Sequence, residues 1–275
     1  MSASDRSPVG AGRPAGDTPR FSHLQFCDMA GREIDALVQL VRGADLAERV
    51  PWSRRWRLED LVHHVGAVHR WVTDLVVTDA RRYRPIRDTD DWRPDTTPAK
   101  AARWLAAGRD PLLAAMAAAD PNRKMWAWGT DQHVRFWSRR MTHETGVHRA
   151  DAELTLGLPP AFDAELAADG VSEFLDNLWK ARAWRRDMGA LRGGGETIGL
   201  SATDVADRWT IRRTANGFSW THHVAGRPPR TDVTVTAPVG DLYLFVWKRI
   251  RGDPATVKIR GDTAMLDHWL RYSSV

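Results

Sequence analysis

The chain of 275 residues contains one cysteine, Cys27. A single thiol excludes an internal disulfide and an all-cysteine metal site, so thiol chemistry beyond Cys27 needs a thiol brought in from outside. No apolar run approaches the ~18 residues of a membrane-spanning helix, and the first residues carry no apolar signal core. The expectation is a cytoplasmic protein without a membrane partner. Lysine is also scarce: it supplies five of the 40 basic residues, and arginine the other 35. These arginines are interleaved with 35 acids, so the net charge of +5 does not gather into the basic stripe of a nucleic-acid binder.

What is present is the composition of a globular protein, 43% hydrophobic and 27% charged, long enough for one large domain or two modest ones. Residues 1–20 hold Gly, Pro, Ser and Arg with almost no large apolar side chain, and read as a disordered tail. From Phe21 the apolar spacing is helical. Helices are expected near 21–42, 57–79, 98–119, 131–156 and 161–188, with Pro111 kinking or breaking the third and Gly157 closing the fourth. After Gly195 the period changes to β-branched and aromatic alternation over 197–214, 217–224 and 231–239. A helix over 239–250, a strand over 255–261 and a helix over 262–272 follow. The fold class expected is α followed by α+β, with a helical domain over 21–190 and a small α+β domain over 195–275.

The stretch "HETGVHRAD", 143–151, superficially matches a zinc-protease signature. That signature needs two histidines four apart, whereas His143 and His148 are five apart and diverge by roughly 140° on a helix. Glu144 and His148 are four apart and share a face with Trp137, Met141, Asp151 and Thr155. An ionised carboxylate on a core-facing stripe is costly unless it is paired or holds a metal. On the second helix Leu61, Val65, Val68, Val72 and Leu75 form the core face, with His64 at its edge, His63 on the solvated side and His69 on the other flank. These spacings leave two readings open. His64 is a hydrogen-bonded core histidine and Glu144–His148 an ordinary pair one turn apart, or His64, Glu144 and His148 ligate a metal and leave its fourth position for catalysis. His143 reads as a surface residue and Asp151 as a partner of Arg149.

Two motifs carry a resemblance. "WSRRWRLEDLVHHVGAVHRW", 52–71, and "FWSRRMTHETGVHRADAEL", 136–154, resemble the mycothiol-dependent maleylpyruvate isomerase family, within the DinB-like four-helix metalloproteins. "GDLYLFVWKRIRG", 240–252, and "VKIRGDTAMLDHWL", 257–270, are similar to that family's second domain, of sterol-carrier-like shape. The resemblance implies an antiparallel four-helix bundle with a small α+β sandwich behind it. It implies His64, Glu144 and His148 as ligands of Zn2+ or a similar divalent ion, and mycothiol as thiol cosubstrate. It also implies that Arg249 grips a substrate carboxylate; here Lys248 stands where the family has glycine. The turn before the second helix, "VPWSRRW", departs from the family's Cys-Pro-Gly-Trp.

The function expected is a metal-dependent enzyme that activates a small-molecule thiol for addition to an electrophile, as an isomerase or an S-transferase. Its partners are that thiol and that electrophile, in a monomer or homodimer. Two other readings stay open: a DinB-like metalloprotein with thiol-independent hydrolytic or unassigned chemistry, and a non-catalytic carrier of an apolar ligand. Trp126, Trp128 and Trp137 suit an aromatic pocket in all three.

Overall fold

The computed structural model describes residues 19–53, 55–86, 97–181, 186–226, 229–250 and 255–274. The tail expected over 1–20 lies, but for its last two residues, outside the described residues. Helix α1, His23–Val41, starts where the Ser22 hydroxyl accepts from the Gln25 N–H and the Gln25 side chain accepts from the Ser22 N–H, a reciprocal cap. Helix α2, Leu58–Val77, carries Glu59 and Asp60 in its first turn, where the helix dipole favours negative charge. The third helix divides into α3, Pro98–Ala107, and α4, Arg109–Ala118. The break falls at Gly108 rather than Pro111. Pro111 sits instead in the first turn of α4, where a missing N–H leaves no hydrogen bond unmade.

Helix α5, Val134–Thr155, is the longest. It ends on Gly157 at φ 72°, with Leu158 N–H donating to Glu153 O (2.8 Å) and Gly157 N–H to Leu154 O (3.2 Å). That pair of bonds requires a left-handed residue after the cap, which glycine adopts without a Cβ penalty. Helices α1, α2, α3–α4 and α5 pack together around Ile34, Leu61, Val65, Leu105 and Trp137.

Helix α6, Ala164–Ala181, buries Phe174, Leu175 and Leu178 in a second core with the C-terminal sheet. It lay inside the helical segment on the sequence boundary at 190–195, but its apolar face is covered by the sheet's side of the molecule. Strands β1 (Thr197–Ala202), β2 (Arg208–Thr214), β3 (Gly217–His223), β4 (Val233–Ala237) and β5 (Lys258–Gly261) form one sheet in the order β3-β2-β1-β4-β5. Pairing is antiparallel throughout except for β1 with β4, so the sheet is mixed. Helices α7, Val239–Val246, and α8, Thr263–Tyr272, complete the layer. Among the described residues no helix is long and apolar enough to cross a membrane.

His69 of α2 is wholly buried against α5, its Nε2 2.9 Å from Thr145 Oγ1 and its Nδ1 without a hydrogen-bond partner. Burial disfavours the imidazolium and pushes its pKa down to about 3. The unfolded chain, with an ordinary histidine near 6.5, takes up a proton that the folded chain refuses. Stability therefore falls as pH drops from about 6.5 towards 3. Denaturant unfolding at pH 7 and pH 5 should differ by about 2 kcal/mol from this group, and His69→Gln should flatten that slope; an unchanged slope in the variant counts against the assignment.

Candidate metal centre

Helices α2 and α5 pack against each other and bring His64, Glu144 and His148 together. Glu144 Oε1 lies 3.0 Å from His64 Nε2 and 3.3 Å from His148 Nε2, and the three ligand atoms lie within 4.8 Å of one another. Two ligands of a tetrahedral ion with bonds of ~2.1 Å stand about 3.4 Å apart. The donor set and its spacing therefore fit a divalent cation. His148 Nδ1 is 2.9 Å from Asp151 Oδ2, a carboxylate with no exposed surface. That contact keeps a proton on Nδ1 and aims Nε2 at the shared point.

The charge state of the trio is set by its neighbours. Burial by itself would raise the Glu144 carboxyl; the Arg140 guanidinium and the hydrogen bonds to His148 and His64 hold it well below the ordinary carboxylate range. Arg140 is buried, bonded to the second Glu144 oxygen and, through Nη1, to both oxygens of Glu173 at 2.8 Å. One Glu144 oxygen is thus occupied and the other left for the histidines. For His148, burial opposes protonation, but the hydrogen bonds to Asp151 and Glu144 outweigh it and push the pKa up to about 9. A cation entering this site must displace that proton.

Above the trio lies a cavity of 760 Å³ whose walls include Trp52, Trp128, Phe174, Trp247, Lys248 and Arg249. Trp56 stacks on His148 with centroids 6.1 Å apart and packs 5.1 Å from His64. Three polar atoms of the lining residues, Trp52 Nε1, Trp247 Nε1 and Ser273 Oγ, are buried without a partner. A second cavity of 440 Å³ borders Arg135, Arg139 and Asp176, but its ionic groups already bond one another: Arg135 to Asp131, and Arg139 to Asp169 and Asp176.

Several expectations change. His143 is buried, not on the surface: its Nε2 is 2.8 Å from Asp169 Oδ2 and its Nδ1 3.1 Å from Tyr243 Oη, which ties α5 to α6 and α7. The Tyr243 ring fits there because Gly170 has no side chain; a Cβ would come within 2.5 Å of the ring. Asp151 pairs with His148 and Arg249, while Arg149 bonds Glu33 and Glu153. Trp128 lines the cavity, whereas Trp137 is fully buried in the bundle core. The tryptophans nearest the histidines, Trp52 and Trp56, sit in the turn before α2. Their signal in the sequence is a proline-bounded turn carrying two large apolar residues, which a soluble loop rarely exposes.

The sequence model of the mycothiol maleylpyruvate isomerase N-terminal domain matches residues 27–153, and that of the corresponding C-terminal domain matches residues 165–268. Two solved structures are similar over 87% of this chain and 93% of theirs: the mycothiol-dependent maleylpyruvate isomerase, at 14% identity and a TM-score of 0.54, and a single histidine-to-alanine variant of it, at 12% and 0.56. At those identities the likeness shows the fold. A search of curated proteins finds no match.

Replacing His143 should separate packing from ligation. His143→Ala should cost about 2–4 kcal/mol, because Asp169 and Tyr243 lose a buried partner and a void remains. The folded variant should keep the divalent-ion content of wild type; a loss of ion without a loss of stability would make His143 a ligand instead.

Proposed function

Because the chain belongs to the mycothiol maleylpyruvate isomerase family, we propose that it is a divalent-metal- and thiol-dependent enzyme that adds a small-molecule thiolate to an electrophilic alkene. The observation that carries this reading is the convergence of His64, Glu144 and His148 beneath an aromatic cavity that contains no protein thiol. Cys27, the chain's one cysteine, is buried in α1 beside His23; burial, then the neighbouring Asp28, push its thiol up to about 11. It is a packing residue. The nucleophile must come from outside, and a bulky thiol such as mycothiol suits a cavity of 760 Å³.

A divalent cation such as Zn2+ at the trio supplies a Lewis-acid position that favours thiolate over thiol at neutral pH. The protein's own groups do the rest. Asp151 and Arg140 fix the orientation of His148 and Glu144; with a divalent cation bound, two neutral imidazoles and one carboxylate would leave a net charge of +1 there. Trp52, Trp128 and Phe174 line the cavity with apolar surface that excludes water from the reacting atoms, and Lys248 adds a positive charge to its wall. The thiolate sulfur bonds one alkene carbon while the π pair moves into the electron-withdrawing group that makes the alkene electrophilic; the former double bond rotates as a single bond, and return of that pair expels the thiolate and restores the alkene in the other geometry. Every atom is conserved in that isomerisation. In an S-transferase version the adduct takes up a proton and leaves.

Elemental analysis should find about one divalent ion per chain in wild type and a large loss in His64→Ala, Glu144→Ala and His148→Ala, with His63→Ala unaffected. Equal, trace metal in all of them would remove the site.

Thiol consumption against a panel of electrophiles should stop in metal-stripped protein and without added thiol, while Cys27→Ala keeps most of the rate. Turnover that proceeds equally well with no thiol would replace this reading with hydrolytic chemistry.

A further inference from the structure

The structure assigns Arg249 as a positioning residue that acts through Asp151 on His148, in place of the substrate-gripping role implied for it by resemblance. This rests on the metal-site reading above and extends it to the C-terminal part of the chain. Arg249 Nε donates to Asp151 Oδ1 at 2.7 Å and Nη2 to Asp151 Oδ2 at 3.1 Å, while Nη1 donates to Trp247 O at 2.8 Å. The guanidinium lies 4.0 Å over the Trp52 ring. Its fork, one face and most of its charge are therefore committed to the protein before any substrate arrives.

Asp151 stands between two modules. Its Oδ2 receives both the His148 Nδ1–H and one arm of Arg249, and the whole carboxylate is inaccessible. Deprived of Arg249, it keeps its bond to His148 but becomes a buried anion with an unfilled oxygen, free to swing and carry the imidazole with it. Arg249 reaches it from a helix end. Helix α7 closes with Lys248 N–H on Phe245 O (2.9 Å) and Arg249 N–H on Leu244 O (2.9 Å), and Lys248 takes φ 62°. This is the same terminal turn that closes α5, built there on Gly157 and here on lysine. A left-handed non-glycine residue is strained, and the turn it makes folds Arg249 back onto α5. The C-terminal module thus completes the orientation of a ligand that belongs to the helical bundle.

The test is Zn2+ affinity, measured on the full chain by competition with a chromophoric chelator, beside urea unfolding of the metal-free protein. Arg249→Met and Asp151→Asn should each weaken Zn2+ about 10- to 100-fold, and the double variant should be no weaker than the worse single one, since both act along one path. Arg249→Lys should recover part of the affinity, having the charge but not the fork; it also serves if Arg249→Met fails to fold. Wild-type Zn2+ affinity in Arg249→Met, with only KM for the electrophile raised, would overturn the proposal and return Arg249 to the substrate. Should wild type itself bind no Zn2+, the metal reading fails, and the unfolding cycle alone decides the clamp. Non-additive effects of the two substitutions support it, and additive effects reject it.

Discussion

An ionised carboxylate on the inward stripe of α5 is the constraint around which the rest is arranged. A buried ion costs several kcal/mol unless it is paired in good geometry, and within its own helix Glu144 meets Arg140, one turn back, and His148, one turn on. Arg140 is buried as well, so its excess charge needs Glu173 from α6, and Glu173 in turn accepts from Asn177. The faces of Trp128 and Trp247 lie 5.6 and 5.2 Å from the same guanidinium. A single acidic side chain thereby recruits α6 and the end of α7, and fixes which of its own oxygens stays available to His64 and His148.

The geometry of the trio was legible because it is local. Residues four apart on a helix share a face whatever the tertiary structure, so Glu144 and His148 could be paired from spacing, with His64 added from the edge of another wheel. What failed was the assumption that α5 has a solvated side. It has almost none: the bundle covers one face and α6 and α7 the other, so His143, placed on the surface by its angle from the stripe, meets Asp169 and Tyr243 instead. A helix enclosed on all sides loses the polar face on which such reasoning depends. The Asp151 partner was misassigned for a related reason. Arg149 is adjacent in sequence but points elsewhere, and Arg249, 98 residues away, makes the bond.

Elements defined by period were recovered better than their ends and neighbours. Alternation located the strands of the sheet, but nothing in a strand's sequence says that β4 returns beside β1 in parallel. Gly157 announced the end of α5, whereas the break in the third helix came at Gly108, since Pro111 is harmless in a first turn and disruptive only further in. The packing of α6 against the sheet was not legible, because its apolar stripe looks the same whether it faces helices or a sheet.

The two left-handed helix ends show how such details reach the site. Gly157 closes α5 at no steric cost, and Lys248 closes α7 at a cost of roughly 1 kcal/mol. The lysine turn persists because its neighbours over-determine it: Val246 and Phe245 are anchored in the second core, Trp247 O receives one arm of Arg249, and Asp151 receives the other two. Relaxing residue 248 to an ordinary helical conformation would carry Arg249 onward along α7 and strand a buried carboxylate one hydrogen bond from His148. The penalty for that exceeds the strain. The strained residue and the imidazole are therefore linked by a continuous run of contacts, and the orientation of His148 is a property of both modules rather than of the helical bundle alone.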